Sequence, residues 1–432
     1  MKLVRIAFAM VVALGFGRAY AFHSGGVAEC EGCHSMHSPA AGGYALLVGS
    51  DASSACLTCH QGATDTGPSS YHVSTRDAVL VGTGVPQQRT PGGDFGWLKK
   101  SYTWSGGSEL GEKHGHNIIA ADFGYTADTR PENALAPGGT YPNSQLSCVS
   151  CHDPHGQARR TGTDAAPTYA YPAIGANVGS IMASGSYTTS PAPTATDAVG
   201  IYRILAAPGY TRAQGVTWGG FPVAIAPSTY NRTEAVSDTR VSYGGTGTNS
   251  WGDWCGSCHG DMHQDSTGTA YVHPTEKALG GIANLYNAYV ASGNLTGSAA
   301  TAFSSMAPFA INTTDYGVLK SATGTTAGPG TADRVTCLSC HRAHASAFPE
   351  MLRWQPGYEF MTKFSIGSAG ATIAAGTVGY TAMDVTGTAG RGPTQANGRT
   401  VQGEYIAAYY DRPVTKFASH QRVYCNKCHA KD

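Results

Sequence analysis

Apolar positions in this chain seldom fall into long periodic runs. The clearest helical spacing, apolar residues three and four apart, covers residues 277–290 (KALGGIANLYNAYV). Shorter runs cover residues 314–320 and 404–410. Strand-like alternation is briefer still, near Tyr202 and Val241. Between these lie TGTTAGPGTA (residues 323–332), SPAPTATDAVG (residues 190–200) and similar stretches, built of residues that punctuate turns. The pattern predicts mostly irregular loops with short helices and few short strands. Loops of that length count against a domain held together by its own helices and sheets. Disorder does not account for them either, because 41% of the residues are hydrophobic and 23 are tyrosine.

One further apolar run, residues 6–17, follows Lys2 and Arg5 and precedes Ala19-Tyr20-Ala21. A positive start, a short apolar stretch and an A-x-A site predict a secretory signal peptide over residues 1–21 and an exported single domain over residues 22–432. The run is too short and too interrupted by glycine for a membrane span, and no later segment approaches that length, so no transmembrane segment is expected.

Cysteine supplies the missing source of order. The stretch Cys30-Glu31-Gly32-Cys33-His34 has the C-x-x-C-H spacing of a c-type haem attachment site, in which both thiols bond to vinyl groups and the histidine ligates iron. The spacing recurs at Cys56, Cys59 and His60; at Cys148, Cys151 and His152; at Cys255, Cys258 and His259; at Cys337, Cys340 and His341; and at Cys425, Cys428 and His429. These six motifs use all 12 cysteines. Zinc sites do not require a histidine after every pair, and a thioredoxin-like pair would occur once beside a βαβ pattern. The expected fold is therefore a multihaem cytochrome c, a chain wrapped around six haem c groups that serve as core and cross-link. Export agrees, since the c-type motif implies attachment outside the cytoplasmic membrane.

Four motifs are followed closely by another histidine: His37, His155 and His344 stand three residues after the motif histidine, and His263 stands four after His259. Residues three apart on a helical turn project to one side, whereas the two axial ligands of an iron lie on opposite faces of the porphyrin. His34 and His37 therefore cannot hold one iron, and if His37 is a ligand it serves a different haem, in its own chain or a neighbour. Sixteen histidines less six leave ten for six distal positions. Besides the four above, His23, His72, His116 and His273 are distal candidates, while His114 and His420 read as surface residues. Met36 and Met262 lie near motifs, but the supply of histidine makes methionine ligation unnecessary. Bis-histidine iron has no open position for a substrate, so the expected role is electron transfer, not catalysis.

Charge adds a little. The 28 basic and 28 acidic side chains balance, and six haems would contribute about twelve propionate charges, making the loaded protein acidic. There is no basic patch or phosphate-binding loop, which excludes nucleic acid as a partner.

The runs FHSGGVAECEGCHSMH, DTGPSSYHVST, TPGGDFGWLKKSYTW, APSTYNRTEA, CLSCHRAHAS and CNKCHAKD resemble the OmcS-type outer-surface hexahaem cytochromes of metal-reducing bacteria. The resemblance extends from the first residues to the last, although the segment 38–54 is shorter than the family pattern and His420 stands outside it. It implies head-to-tail subunits forming an extracellular filament. In it, the histidine matching His37 ligates the haem at Cys337 and Cys340 of the neighbour. It also implies upstream periplasmic or outer-membrane cytochromes as donors, and acceptors such as Fe(III) oxides or electrodes. The competing classes are a monomeric periplasmic or outer-surface shuttle and a terminal reductase with an open haem. The reductase would want an altered motif or a missing distal ligand.

Overall fold

A computed structural model describes residues 30–37, 46–63, 72–82, 84–104, 107–155, 240–247, 249–263, 275–355, 407–412, 416–418 and 420–429, with shorter stretches between 159 and 234 and between 359 and 380. The expected signal peptide, His23, His273 and Tyr202 lie outside the described residues, as do residues 404–406 and most of residues 190–200, while residues 407–410 begin with a short helical stretch and are buried.

Regular structure is sparse. The α-helices used below are α1 (Cys30–Cys33), α2 (Ala52–His60), α3 (Trp251–Cys255), α4 (Ile282–Ala288), α5 (Tyr316–Ala322) and α6 (Asn426–His429). The helical spacing over 277–290 thus yields only the seven residues of α4, because residues 275–280 turn away to bond the segment 331–335 through Glu276, Leu279 and Gly280. The spacing over 314–320 becomes α5, started by Asp315, whose carboxylate accepts from the Gly317 and Val318 amides. Residues 323–332 form the expected turns.

One mixed sheet joins β1 (Ala198–Val199), β2 (Val223–Pro227), β3 (Ser242–Gly244) and β4 (Ala310–Ile311) in the order β4-β3-β2-β1. The β3–β4 pairing is parallel and the others antiparallel. The alternation near Val241 belongs to β3. Val223, Ile225, Val241, Tyr243 and Trp251 form one apolar cluster on this sheet, closed by Leu319 of α5. A second, larger cluster is dominated by aromatic side chains: Phe95, Trp97, Tyr125, Phe303, Phe309, Phe348, Trp354 and Tyr409.

Side chains fasten loops that no ladder holds. Buried Asp94 accepts from the Thr75, Gln88 and Gly96 amides at 2.7–2.9 Å and from the Thr75 hydroxyl at 2.5 Å, tying three stretches of chain to one carboxylate. Asp51 caps α2 through the Ser54 amide at 2.7 Å and reaches the Ala121 amide at 2.8 Å. Glu234 takes Arg342 and Arg353, all three buried. Among the described residues no helix is long and apolar enough to cross a membrane.

Leu319 is fully buried where α5 meets β2 and β3, so Leu319→Ala should lower stability by about 2–5 kcal/mol through lost transfer energy and the cavity left behind. Guanidinium unfolding of the purified protein checks it, and a loss below about 1 kcal/mol would contradict this packing.

Candidate functional site

Each attachment motif sits on a single helical turn. The amides of His34, His152, His259, His341 and His429 donate to the carbonyls of Cys30, Cys148, Cys255, Cys337 and Cys425 at 2.7–3.0 Å, and the second motif lies wholly inside α2. An i to i+4 bond puts both cysteines and the histidine on one face, as joint attachment to one macrocycle requires. Short polar side chains start these turns. Ser147 and Thr336 form capping boxes with Ser150 and Ser339, and Ser250 accepts from the Asp253 amide at the start of α3.

The motifs follow one another in space in their order along the chain. Cys59 neighbours Cys33, Cys56 hydrogen-bonds Cys148, Cys151 neighbours Cys258, Cys255 hydrogen-bonds Cys337, and Cys340 neighbours Cys425 and Cys428. Burial pushes the Cys151 and Cys340 thiols up to about 12 and Cys428 up to about 11. A continuous cavity of about 900 Å³ runs past the second to sixth motifs and is lined by apolar side chains including Phe95, Ile118, Leu146, Trp251, Tyr286, Phe309 and Trp354.

Into this space the chain brings histidines from distant segments. His155 lies opposite His34 with ring centroids 6.5 Å apart and planes at 7°. His344 lies opposite His152 at 6.2 Å, and His116 opposite His259 at 6.0 Å. Two imidazoles on opposite sides of one iron, each nitrogen about 2.0 Å from the metal and about 1.1 Å from its ring centre, have centroids about 6.2 Å apart. The three separations fit that arrangement.

Hydrogen bonding sets the right nitrogens free. Nδ1 of His116 reaches the Ala343 carbonyl at 2.8 Å, that of His259 the Pro137 carbonyl at 2.8 Å and that of His341 the Glu350 carbonyl at 2.7 Å. A ring that donates from Nδ1 presents an unprotonated Nε2, the form a metal takes. Burial, then the nearby His259, lowers His116 to about 4. Burial, then His152, lowers His344 to about 3. Both rings are therefore neutral at neutral pH.

His116 and His344 are positioned by one backbone junction. The His116 amide donates to the His344 carbonyl at 2.9 Å, the His344 amide to Gly92 at 2.7 Å and the Asp94 amide to Ala345 at 3.2 Å, while Phe95 stacks 4.8 Å from the His344 ring. Gly93 takes φ +99° and passes so close that a Cβ there would stand 1.8 Å from the Ala345 carbonyl oxygen.

The remaining candidates divide. His37 is exposed, with no partner among the described residues, beside Met36, which is 78% exposed. His72 is partly buried, with its ring against Gly62. His263 closes the helix Gly260–His263. His420 is exposed, but His114 corrects the surface expectation: it is fully buried, with Nδ1 bonded to the Trp97 carbonyl at 2.9 Å and Nε2 to Glu109 at 3.1 Å. Both nitrogens being satisfied is what permits its burial. Sequence reading also passed over the buried Glu234, Arg342 and Arg353 group. Its one signal was that Arg342 directly follows His341.

No family model matches the chain. OmcS, a c-type cytochrome of Geobacter sulfurreducens, is 47% identical over an alignment of 441 residues that covers 96% of this chain and 95% of that protein. An outer membrane cytochrome S filament from the same organism superposes with a TM-score of 0.74 at 46% identity, covering 95% of this chain and 100% of that one. OmcS nanowires solved by cryo-electron microscopy give 0.74 at 45% identity with the same coverage.

Gly93→Ala should destabilise the protein by more than about 1 kcal/mol through positive φ and collision with Ala345. Gly82→Ala, with φ +62° but nothing within 4 Å, should lose less. Equal unfolding midpoints in denaturant would contradict the tight junction at Ala345.

Proposed function

This chain belongs to the OmcS family of c-type cytochromes, and from that membership and the facing imidazoles we propose that it is a filament subunit carrying electrons outside the cell through six covalently held haems. The observation that carries this is the set of three histidine pairs, 6.0–6.5 Å apart, strung along motifs that follow one another in space. Haem, when bound, supplies a one-electron iron couple.

The chain's own residues do the rest. The cysteines of each motif would hold a haem covalently, and the motif histidines His34, His60, His152, His259, His341 and His429 would each ligate its iron. His155, His344 and His116 would supply the second ligand at the first, third and fourth motifs. Two of His23, His72, His263 and His273 would do so at the second and sixth motifs. With both faces occupied by imidazole there is no place for a substrate to coordinate, so the protein moves electrons without making bonds. The apolar lining lowers the reorganisation that accompanies each transfer by keeping water from the irons.

His37, exposed and with no partner among the described residues, would serve the fifth motif of the adjacent subunit, where His341 would be the other ligand. Its ligand bond makes assembly and coordination a single event. A head-to-tail homopolymer at the outer cell surface results, fed by periplasmic or outer-membrane cytochromes and discharged to acceptors such as Fe(III) oxides or electrodes.

Mass spectrometry of the mature protein should find six haems and no free thiol; five or fewer would contradict the reading. His37→Ala should retain all six yet form no filaments, and should show new high-spin or water-ligated iron by electron paramagnetic resonance. Normal filaments with wholly low-spin iron would show that His37 is not a ligand.

A further inference from the structure

Fixed charge is distributed unevenly along the row of motifs. At the fifth motif, the Arg353 side chain donates from Nε to the Leu338 carbonyl inside the C-x-x-C loop at 2.9 Å, and its amide donates to Cys340 at 2.8 Å. Arg342 directly follows His341, and its guanidinium lies 3.7 Å from the Tyr410 ring centre. Glu234 stands between the two, accepting from Arg342 at 3.0 Å and from Arg353 at 3.0 and 3.2 Å. All three are at most 2% exposed. Guanidinium does not deprotonate in proteins, so two cations share one carboxylate and the group carries one buried positive charge.

At the second and third motifs the sign is reversed. Asp51 caps the helix that carries Cys56 and acts on both Cys56 and Cys148. Among the described residues its carboxylate accepts only from neutral donors: the Ser54 amide and hydroxyl and the Ala121 amide.

We propose that the Arg342–Glu234–Arg353 group holds the fifth attachment site at a higher reduction potential than the second and third sites beside Asp51. Gaining an electron makes a site more negative, so a buried cation favours the reduced form and a nearby carboxylate disfavours it. A unit charge roughly 10 Å away, in an effective dielectric of about 20, shifts the oxidised-to-reduced ratio by roughly one decade. Arg342, Arg353 and Glu234 are positioning residues that touch no iron. The inference rests on the haem reading above and deepens it: the site that receives His37 of the next subunit is where an electron in a partly reduced filament is retained, next to the junction it must cross.

Optical redox titration of assembled filaments tests this. Glu234→Gln keeps the shape and removes the negative charge, so the high-potential component should gain about tenfold in reduced over oxidised iron at fixed ambient potential, 59 mV for one electron. Arg353→Met should move that same component by a similar factor in the opposite direction. Asp51→Asn, at a partly exposed cap, should raise only a lower-potential component, and it provides a test should Glu234→Gln fail to fold. Haem content is measured on every variant. Six haems with no opposed shifts, or with Asp51→Asn moving the high-potential component, would overturn the charge ordering and leave the haem reading standing. Fewer than six in the unmodified chain would overturn both.

Discussion

An iron in a porphyrin has two faces, and a C-x-x-C-H turn can reach only one of them. In the haem arrangement proposed above, the other must be supplied by a histidine from elsewhere in the chain or its neighbour. His155, three residues beyond the third motif, crosses to the first; His344, beyond the fifth, crosses to the third; His116, from a segment without a motif, meets the fourth. Each crossing ties chain segments far apart in sequence at a fixed separation near 6 Å, and each links one motif to the next but one or to a distant loop. A continuous row is the packing that satisfies all of them.

That constraint explains how a chain with so little helix and sheet has one structure. Metal bonds are directional and strong enough to order loops that have no ladder of their own, and the remaining polar groups are settled locally. Asp94 gathers three loop segments, capping boxes at Ser147 and Thr336 begin two of the motif turns, and Arg353 reaches the Leu338 carbonyl inside the second of these. The aromatic cluster around Trp97, Phe309 and Trp354 supplies flat apolar walls against which planar groups can lie.

The near-face half of the site was legible in the sequence, because cysteine and histidine within five residues act through local helical geometry. Cys148, Cys151 and His152 are one turn in the chain and one turn in space. The far-face half was legible only as a count. That His37, His155 and His344 cannot share an iron with the motif histidine before them was expected from the periodicity of a turn, but that His155 meets His34 depends on how the whole chain wraps, which no local pattern encodes. His114, read as a surface residue, misled for the same reason: its partners Trp97 and Glu109 lie outside its own turn. Helix α4 shortened because Glu276, Leu279 and Gly280 found backbone partners near Thr331 and Val335 that outweigh the amphipathic spacing.

A cryo-electron microscopy map of the assembled protein, sharp enough to show imidazole rings, tests the central claim most directly. Density should place His155 across iron from His34, His344 across from His152 and His116 across from His259, with each ring pair near the 6.0–6.5 Å separations seen here. Any of these three distal histidines found ligating the iron of its own neighbouring motif, or no iron at all, would contradict the crossed arrangement on which the fold and the electron path both depend.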